Sequence, residues 1–291
     1  MTDQLPSPSF CISVDVERDY RLDGRRTVRG IEEGLPVFLD LLRSRSIPFD
    51  LFVSGEIVPY LPSDLSKEGD VLVSLGCHGQ THSVGFDGYL GRKSASKLRE
   101  EIRVSTGTIR TKFGRNPRYF RAPNFSITGE ALRILESLGY SCDSSVLPGR
   151  RVLRWRFLPL LDHRGAPSDP YHPDSQSPTN HGGLAILEVP VTPNPTHPGS
   201  PLGMGFLHNS GPDAVLDAVS RVRSRHVVFL CHSWEMVAWG PSDPVAPWVR
   251  TASSSKTQGL EDLLDRLEHN RFLNMAGIVA REEKIQSATA T

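Results

Sequence analysis

Two histidines four residues apart, His78 and His82, stand in the stretch Gly76-Cys77-His78-Gly79-Gln80-Thr81-His82. The apolar run Asp70-Val71-Leu72-Val73-Ser74-Leu75 leads into it and reads as a buried strand. Side chains at i and i+4 share one face of a helical turn. Such a turn at the mouth of a strand would put both rings on one metal ion. Neutral imidazole suits zinc, iron, cobalt or nickel; a third ligand must come from elsewhere, and an open coordination position serves catalysis. Taken alone, the pair reads equally well as two surface histidines, since short patterns match by chance. Other strand ends must therefore supply a carboxylate and proton-transfer groups.

Several do. Ser9-Phe10-Cys11-Ile12-Ser13-Val14-Asp15-Val16-Glu17 begins as a strand and ends in two acids. An arginine-rich loop (Arg18, Arg21, Arg25, Arg26, Arg29) follows, then a helix with Ile31, Leu35, Phe38, Leu39 and Leu42 on one stripe. Pro48–Val53 is a second strand, and the run into His78 a third. A helix is expected over about 94–108, then a short strand over 117–125 ending in an arginine and a proline (Arg121, Pro123), a helix from about Thr128 to Leu138, and a strand at 140–145 carrying Asp143. Residues 148–183 break the pattern and read as an inserted functional loop, with Asp169, Tyr171 and His172 as tentative specificity residues. Leu184–Pro190 resumes the sheet. A helix over 214–222 precedes the apolar strand Val227–Cys231, which ends in His232-Ser233-Trp234-Glu235. The helix Leu260–Leu267 and a strand-like run Met275–Ala280 close the chain, and 282–291 reads as a flexible tail. Alternating strands and amphipathic helices predict an α/β fold, a mostly parallel sheet or barrel, and the length suits one large α/β barrel as well as two domains.

Composition narrows the function. Thirty-three Lys and Arg balance thirty-three Asp and Glu, so no global field favours nucleic acid or an anionic membrane. No apolar run approaches the ~18 residues of a membrane helix. The polar start, Met1 to Pro8, lacks the pattern of an export signal, and a cytoplasmic location is expected. Cys11, Cys77, Cys142 and Cys231 lack CxxC spacing and lie in apolar runs, so they read as buried thiols. A nucleophilic cysteine at Cys77-His78 or Cys231-His232 is disfavoured, because adjacency in sequence does not create reaction geometry.

Asp15/Glu17, His78/His82, Arg121, Asp143 and His232 thus converge on one edge of an α/β sheet, where such folds place their chemistry. In this order the motifs resemble the polysaccharide deacetylase (NodB-homology, carbohydrate esterase) family. Ser13-Val14-Asp15-Val16-Glu17 stands for its first motif, His78–His82 for the His-x-x-x-His motif, Arg121-Ala122-Pro123 for Arg-Pro-Pro, and Leu230-Cys231-His232 for Leu-x-His. The wording is similar to a bacterial subgroup linked to cell-envelope and exopolysaccharide sugars, with a general likeness to aminoarabinose-lipid deformylases.

The resemblance covers roughly residues 8–280 and implies a single domain, a distorted (β/α) barrel of mostly parallel strands with long active-site loops. It also implies roles. Asp15 would be the general base, His232 the general acid, and Arg121 the partner of Asp15. Glu17, His78 and His82 would hold a divalent metal, zinc foremost, with cobalt, nickel, manganese or iron as alternatives. Asn124 would offer its backbone N–H to the oxyanion, while Leu230 and Trp234 would wall the acyl pocket. The family's second aspartate is Val16 here, and Glu17, on the same face of an extended strand as Asp15, takes its place. The aspartate that orients the acidic histidine has no in-register match; Asp143 is the tentative substitute, with Asp162, Asp169 or Glu235 as alternatives. The expected reaction is removal of an N-acyl group, acetyl foremost, from a small-molecule or carrier-linked amino sugar such as a nucleotide sugar, a sugar metabolite or a lipid-linked precursor. A deformylase, a ureide hydrolase and an inactive carbohydrate-binding homologue are the alternatives. A homo-oligomer is compatible with the sequence, and a non-haem iron oxygenase ranks last.

Overall fold

The computed structural model describes residues 7–65, 70–82, 88–250, 253–268 and 271–289. Seven parallel strands form the central sheet: β1 (Ser9–Val16), β2 (Phe49–Val53), β3 (Val73–Cys77), β4 (Tyr119–Phe120), β5 (Cys142–Asp143), β8 (Leu187–Glu188) and β9 (His226–His232). Their order is β8-β5-β4-β3-β2-β1-β9, so the last strand forms one edge and the N-terminal strand lies just inside it. The edges approach one another through the irregular segment after β8. There the Thr192 N–H donates to the Val228 carbonyl (3.3 Å), and the Leu230 N–H donates to that of Leu202 (3.0 Å). The sheet is therefore a curled, distorted barrel, as expected.

Strand alternation divides its residues between two environments. Phe10, Ile12, Val14 and Val16 of β1 join Val227, Phe229 and Cys231 of β9 in the core between sheet and helices. Cys11 joins Val228 and Leu230 in a second core. Asp15, one residue from Val14 and Val16, falls on that inner side, and His232 follows Cys231 in the same way. The alternation also disposes of a cysteine nucleophile. Cys77 and Cys231 lie in the outer core, away from their histidine neighbours, and burial pushes both thiols above their usual range. All four cysteines are free and buried.

The helices α1 (Leu35–Ser44), α2 (Ala95–Phe113), α3 (Gly129–Ser137), α4 (Met204–Ser220), α5 (Ser253–Arg266) and α6 (Met275–Thr289) complete the chain. Ser94 caps α2 and Thr128 caps α3 through their hydroxyls, and Gly114 ends α2 in the left-handed region (φ 73°). No helix among the described residues is long and apolar enough to cross a membrane.

Three expectations need correction. Met275–Ala280 is not a strand but the start of α6, whose first amide, that of Met275, donates to both oxygens of Asp50 inside the barrel (3.0 and 3.1 Å). A run apolar at nearly every position does not separate a buried helix from a strand. The chain from Glu282 to Thr289 continues that helix rather than fraying, because Glu282 is buried against Arg225 and His226 (both 2.8 Å); Ala290 and Thr291 lie outside the described residues. Residues 148–183 contain an antiparallel hairpin, β6 (Arg151–Arg154) and β7 (Leu158–Asp162), followed by an irregular strap.

Candidate metal and acid–base site

At the C-terminal ends of β1, β3, β4 and β9 the inward-facing polar side chains meet. Glu17, His78 and His82 each offer one ligand atom, all within 4.8 Å of one another. Glu17 Oε2 lies 3.5 Å from Nε2 of each imidazole. The rings stack at 5.5 Å between centroids. They do not ride on a helical turn, as the spacing suggested. Gly79 turns the chain at φ +69°, a conformation that needs no Cβ, and the Gly79 and Gln80 carbonyls accept from the Gly55 and Glu56 amides (2.9 Å each). The loop is thus pinned to the segment after β2, and the turn brings the second ring back toward the first.

His78 is fixed from behind: its Nδ1 donates to the Arg121 carbonyl (2.9 Å), which leaves Nε2 with its lone pair toward Glu17. Glu17 Oε1 accepts from the Trp234 indole N–H (3.1 Å). Glu17 Oε2 is buried and has no hydrogen-bond partner. A buried carboxylate oxygen left open between two imidazole nitrogens is expensive unless a cation completes it. Burial opposes ionisation of Glu17, but the His82, His78 and His232 imidazoles outweigh it and hold the carboxyl below its usual range. Burial lowers His82, whereas at His78 the Asp15 and Glu17 carboxylates overcome burial and raise it. This donor set, two imidazoles and one carboxylate, fits a divalent cation.

Asp15 lies beside it, its Oδ2 3.8 Å from His78 Nε2 and its Oδ1 accepting from Arg121 Nη1 (2.8 Å). Arg121 is fully buried. It also donates to the Ser13 hydroxyl (2.9 Å), the Ser144 hydroxyl (3.0 Å) and the Ser144 carbonyl (2.9 Å), with its guanidinium over the Phe52 ring. Every direction in which it could swing is taken, so it presents Asp15 in one orientation.

His232 stands at the end of β9, the register partner of Asp15 on the neighbouring strand. Glu235 Oε2 accepts from its backbone N–H (2.7 Å) and lies 3.2 Å from its Nδ1. The imidazole stacks on Trp234 at 4.5 Å. Burial works against protonation, but the Glu235 contact prevails and His232 is raised to about 9. Glu235 therefore occupies the place beside His232 for which Asp143 was the leading expectation. Asp143 is engaged elsewhere: buried behind Arg121, it accepts from the Ser145 hydroxyl (2.6 Å) and sits within hydrogen-bond reach of Glu188. Burial, with the Asp143 charge adding to it, pushes Glu188 well above the carboxylate range.

The remaining candidates divide. Asn124 follows β4 with φ 55°, and Phe125 with φ 60°, so the backbone there is held in the left-handed region. Leu230 lines, with His232 and Glu235, a cleft of about 470 Å³ that runs to Met204 and Phe206. Trp234 does more than wall a pocket, since its N–H holds Glu17 and its ring supports His232. Asp169, Tyr171 and His172 do not join the site. Asp169 accepts from the Arg225 amide (2.8 Å), at the opposite end of β9. The Tyr171 hydroxyl donates to the Pro178 carbonyl, and His172 contacts Ile186 and Gln286. The strap is a packed structural segment, and a polar, histidine-containing composition cannot show which side of a barrel it crosses. Asp162 is likewise remote from His232, paired with Arg164 and Arg151.

Residues 23–142 match a family model described as polysaccharide deacetylase, which agrees with the resemblance read from the motifs. No curated protein matches the sequence significantly. Among solved structures, a protein from Mycobacterium smegmatis described as a polysaccharide deacetylase shares 15% identity, with 97% of this chain aligned to 93% of that one at a TM-score of 0.61. A family 4 carbohydrate esterase pseudoenzyme from Bacillus anthracis shares 14% identity over 95% of this chain at 0.52; the alignment spans 66% of the pseudoenzyme. A peptidoglycan N-acetylglucosamine deacetylase shares 13% identity, with 94% and 89% coverage, at 0.51. At these identities the structures establish the fold.

Proposed function

We propose that the chain is a metal-dependent amide hydrolase that removes a small N-acyl group, acetyl foremost, from an amino sugar. The buried, unpartnered Glu17 Oε2 between His78 and His82 carries this reading, because that oxygen calls for a cation. The family model over 23–142 supports sugar deacetylation as the reaction class. Glu17, His78 and His82 would hold the ion, zinc foremost, with cobalt, nickel, manganese and iron(II) as substitutes. When bound, such an ion polarises the acyl carbonyl and lowers the pKa of water.

The protein's own groups supply the proton transfers. Asp15, oriented by Arg121, takes the proton from the attacking water. His232, kept protonated by Glu235, gives one to the leaving nitrogen, without which an amine is a poor leaving group. The backbone N–H of Asn124 donates to the developing oxyanion. Base and acid thus come from the neighbouring, register-paired ends of β1 and β9, beside the trio. The substrate is a soluble or carrier-linked amino sugar: a nucleotide sugar, a sugar metabolite or a lipid-linked precursor of the cell envelope or an exopolysaccharide.

The test is release of acetate and, separately, of formate from N-acetylated and N-formylated hexosamines by zinc- or cobalt-loaded protein. Acetate release that disappears in Asp15→Asn supports the proposal. Formate release alone changes the acyl group, and no release of either sinks the hydrolase.

A further inference from the structure

We infer that the arginine-rich loop after β1 forms an anion subsite for a phosphoryl group on the substrate, an inference that rests on the amide-hydrolase reading and extends it. A second cleft, of about 310 Å³, opens beside the trio; Glu17 and His82 line it together with Asp19 and with Arg18, Arg21, Arg25 and Arg26. Its volume is at the lower end of the range of small-molecule sites. A ligand held at Glu17 and His82 therefore meets the guanidiniums without leaving the cleft.

The loop is built rather than loose. Asp19 accepts from the Gly30 amide (2.7 Å), the Arg29 amide (2.8 Å) and the Thr27 hydroxyl (2.5 Å), and the Leu22 amide donates to the Pro244 carbonyl (2.7 Å). With Asp19 consumed by this closure, the four arginines are countered by two acids. Glu56 Oε2 alone serves both Arg18 and Arg26, while Asp23 pairs with Arg21 (2.8 Å) and Arg25 (3.6 Å). The Arg25 and Arg26 side chains remain 78% and 57% exposed, where ion pairs add little stability. Their planar donor forks match phosphoryl oxygens. The Tyr20 ring lines the same cleft, 6.0 Å from Trp234. The chemistry indicated is a sugar phosphate or diphosphate, either free in water or as the headgroup of a polyisoprenyl lipid.

The test compares wild type with Arg25→Gln/Arg26→Gln, two exposed positions, with circular dichroism as the folding control. Calorimetric binding of inorganic pyrophosphate should weaken about tenfold or more in the variant, and in wild type it should weaken as salt rises. The ratio of kcat/KM for an N-acetylhexosamine 1-phosphate to that for the neutral sugar should exceed one in wild type and fall toward one in the variant. Co-sedimentation with phosphatidic acid vesicles, lost in the variant, assigns the anion to a lipid; pyrophosphate binding without co-sedimentation assigns it to a soluble substrate. Equal pyrophosphate affinity in both proteins, or none in either, overturns the subsite even if acyl release is robust. Binding that the variant loses, with no acyl release from any sugar, upholds the subsite and removes the hydrolase.

Discussion

Strand β9 carries a histidine at each end, and each faces a glutamate. At the closed end, His226 uses both ring nitrogens: Nε2 meets Glu282 at 2.8 Å and Nδ1 meets the Ser9 hydroxyl, all buried. At the open end, His232 engages Glu235 through Nδ1 alone, and its side chain stays 24% exposed beside the 470 Å³ cleft. The chemistry of the two pairs is the same and their surroundings are opposite. A histidine with both nitrogens committed ties the last helix to the sheet; one with a nitrogen to spare can move a proton. The buried carboxylates repeat the contrast. Asp50 accepts two bonds from the Met275 amide and one from the Cys11 thiol, and burial still raises it to about 6. Glu17 accepts one bond, from Trp234, and leaves its other oxygen open toward two imidazoles. His226 and Asp50 at the floor have their partners in the protein, whereas Glu17 at the mouth keeps one oxygen open.

The contrast is broken most directly by exchanging the effects of the two histidines. His232→Ala should cost about 10²–10⁴ in kcat while the melting temperature holds. His226→Ala should leave kcat in place but cost about 3 kcal/mol of stability, because Glu282 loses a buried partner. Steady-state kinetics and thermal melts on both variants decide it; a catalytic defect at His226 or an active His232→Ala would erase the distinction.

Glu235→Gln sharpens the comparison within the site. His232 must be protonated to act as the acid, so activity persists up to its raised value of about 9 and falls above it. Without the carboxylate the pKa should return toward 6.5, and at pH 8 the protonated fraction drops about thirtyfold. The alkaline limb of the kcat profile should move down in pH accordingly; an unmoved limb would mean that Glu235 does not tune His232.

A smaller effect is expected of Trp234→Phe. The ring against His232 is retained and only the N–H to Glu17 is lost, so metal affinity should fall about tenfold, as for other outer-shell partners of a ligand. Competition with a chromophoric chelator measures it, and unchanged affinity would make Trp234 merely a wall.

Much of this was legible in the sequence because the two-residue period of a strand is rigid. Asp15 and Glu17, two apart, had to share a face, and the apolar runs of β1, β3 and β9 located the strand ends that carry the site. What escaped depends on contacts between distant segments. The serine cradle of Arg121, from Ser13 and Ser144, has no local signal beyond the Asp-Ser-Ser wording after β5. The spacing of His78 and His82 suggested a helical turn because i and i+4 match one, while Gly79, the signal for a sharp reversal, sat between them. Asp143 resembled an orienting acid by strand order alone; its companion Glu188, 45 residues downstream, could be paired with it only through the parallel register of β5 and β8.

Metal content of the purified protein, wild type beside Glu17→Ala and His78→Ala, tests the central claim most directly. About one equivalent of zinc or another divalent ion in wild type, lost in both variants, is the expected result. A wild-type protein that holds no metal after refilling with zinc or cobalt would contradict it and leave a carbohydrate-binding protein on a deacetylase-like barrel.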